Sequence, residues 1–573
     1  MKKLRLIIWL LNIILLAFIF ARVFHKSDKQ LVVSADGSSN LKMVVNAEGC
    51  EREILPWYDS DNDCLCFFIP GSVDDSVVYL EKGVYIETEA GKRADQDAID
   101  INKETEVMLA AGDMRYRTVF IRGSKIPALF VETASGSMDT IHGDKLNREK
   151  GRVLSLSPEG QVQYNNEFKF IKGHGNDTWM FEKKPYSIEF DKAVSLAGVP
   201  ESKEWVLLAM SLEGDKIHSK IAYDMAKILE AESYVEAEWV DLYTNGEYRG
   251  LYLLAQSAKG KNEFNQKGNA FLVEKEIDSR CGDTPEFLLT KQGNNFIAVR
   301  PKDKNDYSNV EDILNQREEE IYAGDFEKIG LDSFVTQYII DEISMNYDAY
   351  KTSAYYFKKS GSDILYAGPA WDYDGAFGEY LHQGEDWVNY NLSVTDIGWG
   401  QLTWWKTLEN NEVFTNAVAE KMKSKQQELE ELFSNRIDEY AVLIADSAYS
   451  DSIRWKYKGD PFKAGTYKEF DSNVRYLKYF LSHRLEVLDS RYEIAGALSF
   501  KGNGTEHTVI FRDDEGQVIC DMKIPDGETL TLGGIPELSG CQNGWWAFEY
   551  SREGYCEYIP ILEDSSLIFI KDE

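Results

Sequence analysis

Asp372 and Asp374 stand one residue apart in Trp371-Asp372-Tyr373-Asp374-Gly375-Ala376-Phe377-Gly378, just after Gly368-Pro369. In an extended strand, residues i and i+2 share a face, so this spacing predicts two carboxylates pointing the same way. Paired hard oxygen donors suit Mg²⁺ or Mn²⁺, above all where phosphate oxygens complete the shell. Trp371, Tyr373 and Phe377 would wall such a site against water. Taken alone, the pair fits a solvated acidic turn better, because the chain carries 97 Asp and Glu residues. Metal chemistry therefore needs partners elsewhere in the chain.

Composition narrows what those partners can be. A length of 573 residues allows two to four domains, and 43% hydrophobic with 13% aromatic residues indicates folded structure. A formal net charge of −34 argues against nucleic acid as a partner, since phosphate backbones are bound by clustered Lys and Arg. An anionic nucleotide would need metal ions and a few placed cations to offset that field. The seven cysteines include no C-x₂-C pair, which argues against a structural zinc site. Cys50, Cys64 and Cys66 near the start and Cys520, Cys541 and Cys556 near the end leave room for one or two disulfides, and Cys281 stands alone.

Lys2, Lys3 and Arg5 precede an apolar run from Leu6 to Phe20, broken only by Asn12, and Arg22 and Lys26 follow. The run is slightly short of the roughly 20 residues that span a bilayer, and no A-x-A cleavage site follows it. It reads as an uncleaved signal-anchor with its N-terminus inside, placing the bulk of the chain outside the cell membrane.

Residues 31–124 read as short strands punctuated by turns, with nothing catalytic among them. Strands Phe168–Ile171 and Tyr186–Phe190 flank Lys172-Gly173-His174-Gly175-Asn176-Asp177-Thr178-Trp179, a plausible nucleotide-covering turn followed by Lys183-Lys184. G-x-G by itself is equally an ordinary hairpin turn. A helix is expected near Asp215–Glu230. Two alternating runs around Asn245-Gly246 form the strongest hairpin signal in the chain. A strand at Phe271–Glu276 carries Glu274. Helical spacing covers Phe326–Tyr350, then two strands, Ala354–Phe357 and Leu365–Ala367, lead into Trp371. Amphipathic helices fill 411–450 and 470–492, and short strands resume from about 495.

The order K-G-x-G-N-x-T-W…K-K-P-Y (172–186), V-D-L-Y-x-N-G-E-Y-x-G-L-Y (240–252), N-x-D (346–348) and W-D-Y-D-x-A-F-G (371–378) resembles the CotH kinase family. These are spore-coat-protein-H-like atypical protein kinases, and the likeness covers roughly residues 125–492. The last 75 residues look like a β-grasp repeat of the surface-protein type, through F-x-D-x-x-G-x-V and then G-W. The resemblance implies an α+β fold. Its atypical protein-kinase-like core at 125–494 would have a β-rich N-lobe and a mostly helical C-lobe. Small β regions at 31–124 and 495–573 would flank it, behind the anchor at 1–30.

It also implies roles, with ATP and Mg²⁺ or Mn²⁺ as cofactors and a protein Ser/Thr hydroxyl as acceptor. Asp348 would be the catalytic base or orienting residue, and Asp372 and Asp374 the metal ligands, Asp372 the nearer. Ser353 stands five positions after Asp348, where the family places a metal-binding Asn. Lys184 would bind phosphate, with Lys183 next to it. Gly173 and Gly175 would cover the nucleotide, and Glu274 would pair with the phosphate-binding Lys. The family commonly has Arg where His174 stands and Arg-Asn where His218-Ser219 stand. These departures leave a second reading open, a surface-displayed binding or scaffold protein that has lost catalysis. A D-x-D glycosyltransferase would need an alternating βαβ nucleotide-sugar domain, which the sequence lacks.

Overall fold

The computed structural model describes residues 41–571 apart from 75–76, 88–92, 96–103, 262–263, 265–268, 278–285, 302–306, 379–388, 398–401, 457–468, 494–503, 531–534, 536–543, 550–554 and 556–558. The apolar run Leu6–Phe20, the boundary near 494, and Cys281, Cys541 and Cys556 lie outside the described residues. Among the described residues no helix is long and apolar enough to cross a membrane. No disulfide joins the described cysteines Cys50, Cys64, Cys66 and Cys520 to one another.

The chain divides into two compact units, Met1–Arg122 with Gly246–Tyr248, and Gly123–Asn245 with Arg249–Glu573. The first unit is β-structure. A six-stranded sheet runs Trp57–Asp59, Cys64–Ile69, Met114–Arg122, Glu104–Ala111, Val84–Glu87, Arg93–Asp95, beside a three-stranded sheet of Cys50–Ile54, Met43–Ala47 and Val78–Leu80. Cys64–Ile69 is buried at every position, as a strand covered on both faces must be.

The second unit mixes sheets and helices. A seven-stranded closed barrel is ordered Ala128–Thr133, Glu149–Leu156, Val162–Gly173, Tyr186–Leu196, Val199–Leu208, Glu247–Gln256, Ala237–Thr244. Its closure is parallel: Ala128–Val131 pairs with Asp241–Thr244. The expected hairpin turns at Asn245 and Gly246, both with positive φ (49° and 86°), the pattern of a type I′ turn. Leu129, Val131, Ile188, Trp205, Leu242 and Leu254 fill the barrel.

A five-stranded antiparallel sheet follows, ordered Phe287–Leu289, Asn295–Arg300, Phe271–Lys275, Ala354–Lys358, Leu365–Ala367. Helix Leu331–Ser344 packs beside it, shorter than the expected 326–350. Met345 ends that helix in a left-handed conformation (φ 45°), freeing 346–353 to form a turn. The helical spacing of 411–450 resolves into Glu412–Ser424, Gln426–Glu431, a π-turn at Leu432–Arg436, and Ile437–Trp455. Asn411 caps the first of these, accepting from the Val413 and Phe414 N–H groups. Helix Phe470–Tyr492 then crosses back. A four-stranded sheet, Val518–Pro525, Glu506–Arg512, Ser565–Lys571, Gly544–Phe548, packs Val509, Phe511 and Leu567 with Tyr476 of that helix.

One buried ion pair ties the helices together. Arg484 is 0% exposed and its guanidinium meets Glu342 Oε2 at 2.7 Å; Arg491 reaches the same oxygen at 2.8 Å. Arg484 also donates to the Glu342 carbonyl at 2.7 Å and the Leu392 carbonyl at 2.8 Å. Removing one partner of such a pair strands the other charge in a low-dielectric interior. Arg484→Ala should therefore lower unfolding free energy by roughly 3–5 kcal/mol, read as a shifted denaturant midpoint with unchanged slope. A shift under about 1 kcal/mol, the size of an exposed pair, would show that the helices do not depend on it.

Candidate functional site

A cleft of about 490 Å³ opens in the second unit, between the barrel and the five-stranded sheet. Gly173, His174, Gly175, Ser187, Glu204 and Val206 line it from the barrel. Glu274, Arg300, Asp348, Ser353, Tyr355, Trp371, Asp372 and Asp374 line it from the sheet and the turns beyond. Both acidic motifs of the sequence thus reach one space.

Asp372 and Asp374 arrive there without the strand that their spacing suggested. Strand Leu365–Ala367 ends first, and Asp372 is left-handed (φ 68°). Alternation survives because the residue between them is tethered in the core. Tyr373 is fully buried, and its hydroxyl donates to Asp341 Oδ1 at 2.7 Å. The Phe377 N–H donates to the Ser344 carbonyl at 2.7 Å, fastening the far end of the loop to helix Leu331–Ser344. Non-glycine residues with positive φ are uncommon and persist where surrounding structure holds them, as here at Asp372 and at Ser353 (φ 53°).

Asn346 bends onto its own turn, its side-chain oxygen accepting from the Asp348 N–H at 3.1 Å. Asp348 then faces the cleft, with the Lys351 ammonium 3.1 Å from its carboxylate. Glu274 and Tyr355 are cross-strand neighbours, and the Tyr355 hydroxyl donates to Glu274 Oε1 at 3.0 Å. The other Glu274 oxygen takes an ion pair from Lys259 at 2.8 Å.

Lys259 corrects the sequence reading, which paired Glu274 with Lys184. Lys184 does not enter the cleft. Its ammonium donates to the Trp179 and Phe181 carbonyls at 2.9 and 3.1 Å and lies over the Trp179 ring. Lys183 does not enter either: it is buried, 2.7 Å from Asp451 and 2.6 Å from the Leu251 carbonyl. Burial pulls its ammonium down to about 8, against the opposing charge of Asp451. Gly250 belongs to the same cluster, since a Cβ there would come 2.1 Å from Asp451 Oδ1. Packing thereby accounts for Lys183 and Lys184 of the K-K-P-Y motif and for Gly250 of the N-G-E-Y-x-G motif.

The cations of the cleft are Lys145, Arg148, Lys172, Lys259 and Arg300. Sequence reasoning gave none of the five a role: Lys172 entered only as the first residue of the Gly-rich turn, and Lys145, Arg148 and Lys259 lie in turns and loops that carry no signal of their own. Burial, then the charges of Arg148 and Lys259, push the Lys172 ammonium below its usual range. Such mutually repelling cations favour an anionic ligand. His174 adds none. Burial, reinforced by Lys259, Lys172 and Lys145, lowers it to about 3, so it is neutral at pH 7 and hydrogen-bonds Ser187 Oγ at 2.9 Å. His218 is likewise engaged, its Nε2 2.8 Å from Asp215. Gly173 and Gly175 are required by space. A Cβ on Gly173 would meet the Trp179 ring at 2.6 Å, and one on Gly175 (φ 75°) would meet Thr178 Oγ1 at 2.2 Å.

The acidic donors of the cleft are all oxygens, which suits Mg²⁺ or Mn²⁺ rather than a soft metal. Among the described residues no group of three or more His, Cys, Asp or Glu side chains is gathered to hold an ion unaided. Asp372 and Asp374 fit an ion whose shell is completed by ligand oxygens and water, the usual manner of Mg²⁺ at phosphate sites.

Behind the loop, burial raises Asp341 from 3.8 to about 7, although its hydrogen bonds from Gln337 and Tyr373 oppose the shift. The folded chain therefore binds more protons than the unfolded one across that window. This contribution to stability is complete below about pH 4 and is lost as pH rises to about 7. Asp341→Asn should flatten that part of the stability–pH curve, measured by denaturant midpoints at about pH 4.5 and 7.5. Parallel curves for the two proteins would refute the assignment.

Comparison with known proteins adds two findings. No curated protein matches the chain. The family model described as CotH kinase protein matches residues 171–488, a span that contains Gly173, Glu274, Asp348, Ser353, Asp372 and Asp374. That match takes in more than half of the chain, which therefore belongs to the CotH kinase family.

Proposed function

We propose that this chain is an atypical protein kinase, dependent on ATP and a divalent cation, that phosphorylates Ser or Thr of surface or coat proteins. In this reading the barrel and the helix-rich remainder act as the two lobes of a kinase-like core. The segment 1–30 anchors the chain in a membrane, with its bulk outside. The observation that supports it best is the convergence of Asp348, Ser353, Asp372, Asp374 and the Lys259–Glu274 pair on one cleft that also holds Lys145, Arg148 and Lys172.

Each residue has work that follows from its placement. Lys259, oriented by Glu274, meets the phosphates, and Lys172, Arg148 and Lys145 offset their remaining charge. Asp348 accepts the proton of the acceptor hydroxyl. The hydroxyl oxygen forms its bond to the γ-phosphorus as the bond to the bridging β,γ-oxygen breaks, and ADP leaves with that electron pair. Asp372 and Asp374, with Ser353 contributing its hydroxyl, would hold Mg²⁺ or Mn²⁺, which supplies positive charge to the phosphate oxygens. Trp371 and Tyr355 close the space against water.

A second reading, a family member that binds nucleotide or protein without catalysis, is favoured by His174 and His218. Family arginines at those positions would add charge, whereas His174 is neutral and His218 is joined to Asp215.

Incubation with labelled ATP, Mg²⁺ or Mn²⁺ and a Ser-rich acceptor tests the proposal. Wild type should transfer label, Lys259→Ala and Asp348→Asn should each lose about 100-fold or more, and Lys184→Ala should keep its rate. Absence of label on acceptor and enzyme under either metal would overturn it in favour of the second reading. Lys184→Ala losing as much as Lys259→Ala would overturn the residue assignment.

A further inference from the structure

The acidic side of the cleft contains two oxygens that the roles above do not use. Glu213 Oε2 and the Tyr223 hydroxyl are buried with no hydrogen-bond partner among the described residues. Both residues line the cleft, and they are 1% and 2% exposed. A buried polar group left unsatisfied carries its full desolvation penalty, so each such oxygen calls for a physical reason.

Neither side chain is free to turn away. Glu213 Oε1 accepts from Ser219 Oγ at 2.6 Å, which fixes the carboxylate and leaves Oε2 as its open oxygen. The turn behind it is pressed on helix Phe470–Tyr492, where a Cβ on Gly214 would lie 2.4 Å from Asn473 Oδ1. The Tyr223 ring stacks on Trp371 with centroids 6.0 Å apart and planes at 22°. Its hydroxyl lies close enough to three carboxylates for their charges to act on it. Burial raises the phenol first, and Asp372, Glu213 and Asp374 raise it further.

A hydroxyl and a carboxylate oxygen, open and set among carboxylates, match the periphery of a hydrated cation. Mg²⁺ takes one or two carboxylates directly and keeps several waters, each with protons to donate. Direct ligation by a third carboxylate is not what the chain offers, because no three acidic side chains are gathered for it among the described residues. We infer that Glu213 and Tyr223 form the outer shell of a divalent cation held by Asp372 and Asp374, accepting hydrogen bonds from its coordinated waters. Both are positioning residues. The inference rests on the reading of Asp372 and Asp374 as metal ligands, and it adds Ser219 as the residue that aims Glu213. A Ser in place of the family Asn thus has a role here: its hydroxyl donates to the carboxylate.

Mn²⁺ titration of the full chain, followed by loss of the sharp six-line electron paramagnetic resonance signal of the free ion, reads binding without turnover. It is run with and without a non-hydrolysable ATP analogue on wild type, Asp372→Ala, Glu213→Gln and Tyr223→Phe. Asp372→Ala should abolish binding, and Glu213→Gln should weaken it 10-fold or more, within the range of outer-shell substitutions. Tyr223→Phe should weaken it several-fold. Melting temperatures without metal should not fall in Tyr223→Phe, since only an unpaired hydroxyl is removed. If Glu213→Gln and Tyr223→Phe bind Mn²⁺ as wild type does while Asp372→Ala does not, the outer shell is refuted and the ligand reading stands. If wild type binds no Mn²⁺ in either condition, both fall.

Discussion

Tyr373 stands between the two acidic residues of the loop, and its hydroxyl bond to Asp341 decides where both of them point. The strand geometry that would ordinarily set alternate side chains on one face is missing here, because Asp372 is left-handed. A buried phenol anchored at 2.7 Å on a helix does the same job by tethering the middle residue. Gln337 braces the arrangement, donating to Asp341 Oδ2 and to the Tyr373 oxygen, each at 2.9 Å. The next residue on the helix, Glu342, holds Arg484 and Arg491. Two neighbouring carboxylates on Leu331–Ser344 thus have opposite assignments: one fixes the loop that faces the cleft, the other fixes the helix that backs it. Displacing that helix would move both.

Charge is the second constraint. A chain at −34 repels a polyanion, yet five cations line one cleft. Two of them, Lys259 and Arg300, are partly offset by Glu274 and Glu204 at 2.8 and 3.0 Å. Lys172 sits between like charges and is held below its ordinary range by burial and by those neighbours. An anion entering this space would relieve repulsion within the protein as well as gaining attraction, and a low-dielectric wall magnifies both effects. The acidic side of the same cleft has the inverse need, which a cation meets. A ligand carrying phosphate and a divalent ion together answers both.

Much of this was legible from residues alone, and the misses have a common cause. The hairpin at Asn245-Gly246, strand Leu365–Ala367 and helix Phe470–Tyr492 were readable because local periodicity and turn chemistry determine them. The parallel closure of the barrel was not, since Ala128–Val131 and Asp241–Thr244 are far apart in sequence and neither run names its partner. Asp372 and Asp374 stood out because two carboxylates in a Trp- and Gly-flanked run are distinctive, whereas Glu204 and Glu213 of the same cleft did not. Its cations were missed because a lysine's role is set by what its flexible stem can reach. Lys183-Lys184 was conspicuous as a pair, yet one is bonded to Asp451 and the other to the carbonyls of its own turn. Lys259 stands in an unremarkable Ala258–Gly260 turn, and only the strand pairing that brings Glu274 to it reveals its place.

Ser353 shows how backbone and side chain enter such a site separately. Its φ of 53° lies in the left-handed region, where Asn is several-fold enriched among non-glycine residues because its short polar side chain bonds locally. An Asn there would accordingly meet two demands, the conformation of the turn and the oxygen that the carboxamide presents. Serine retains the conformation, at some strain, and presents a shorter and more mobile oxygen. The turn itself is secured independently of residue 353: the Lys351 and Thr352 N–H groups both donate to the Asp348 carbonyl, at 3.3 and 3.2 Å. Asp348 is therefore held in place whichever side chain follows at 353. The substitution bears on how an ion would be gripped and leaves the Asp348 carboxylate where it was.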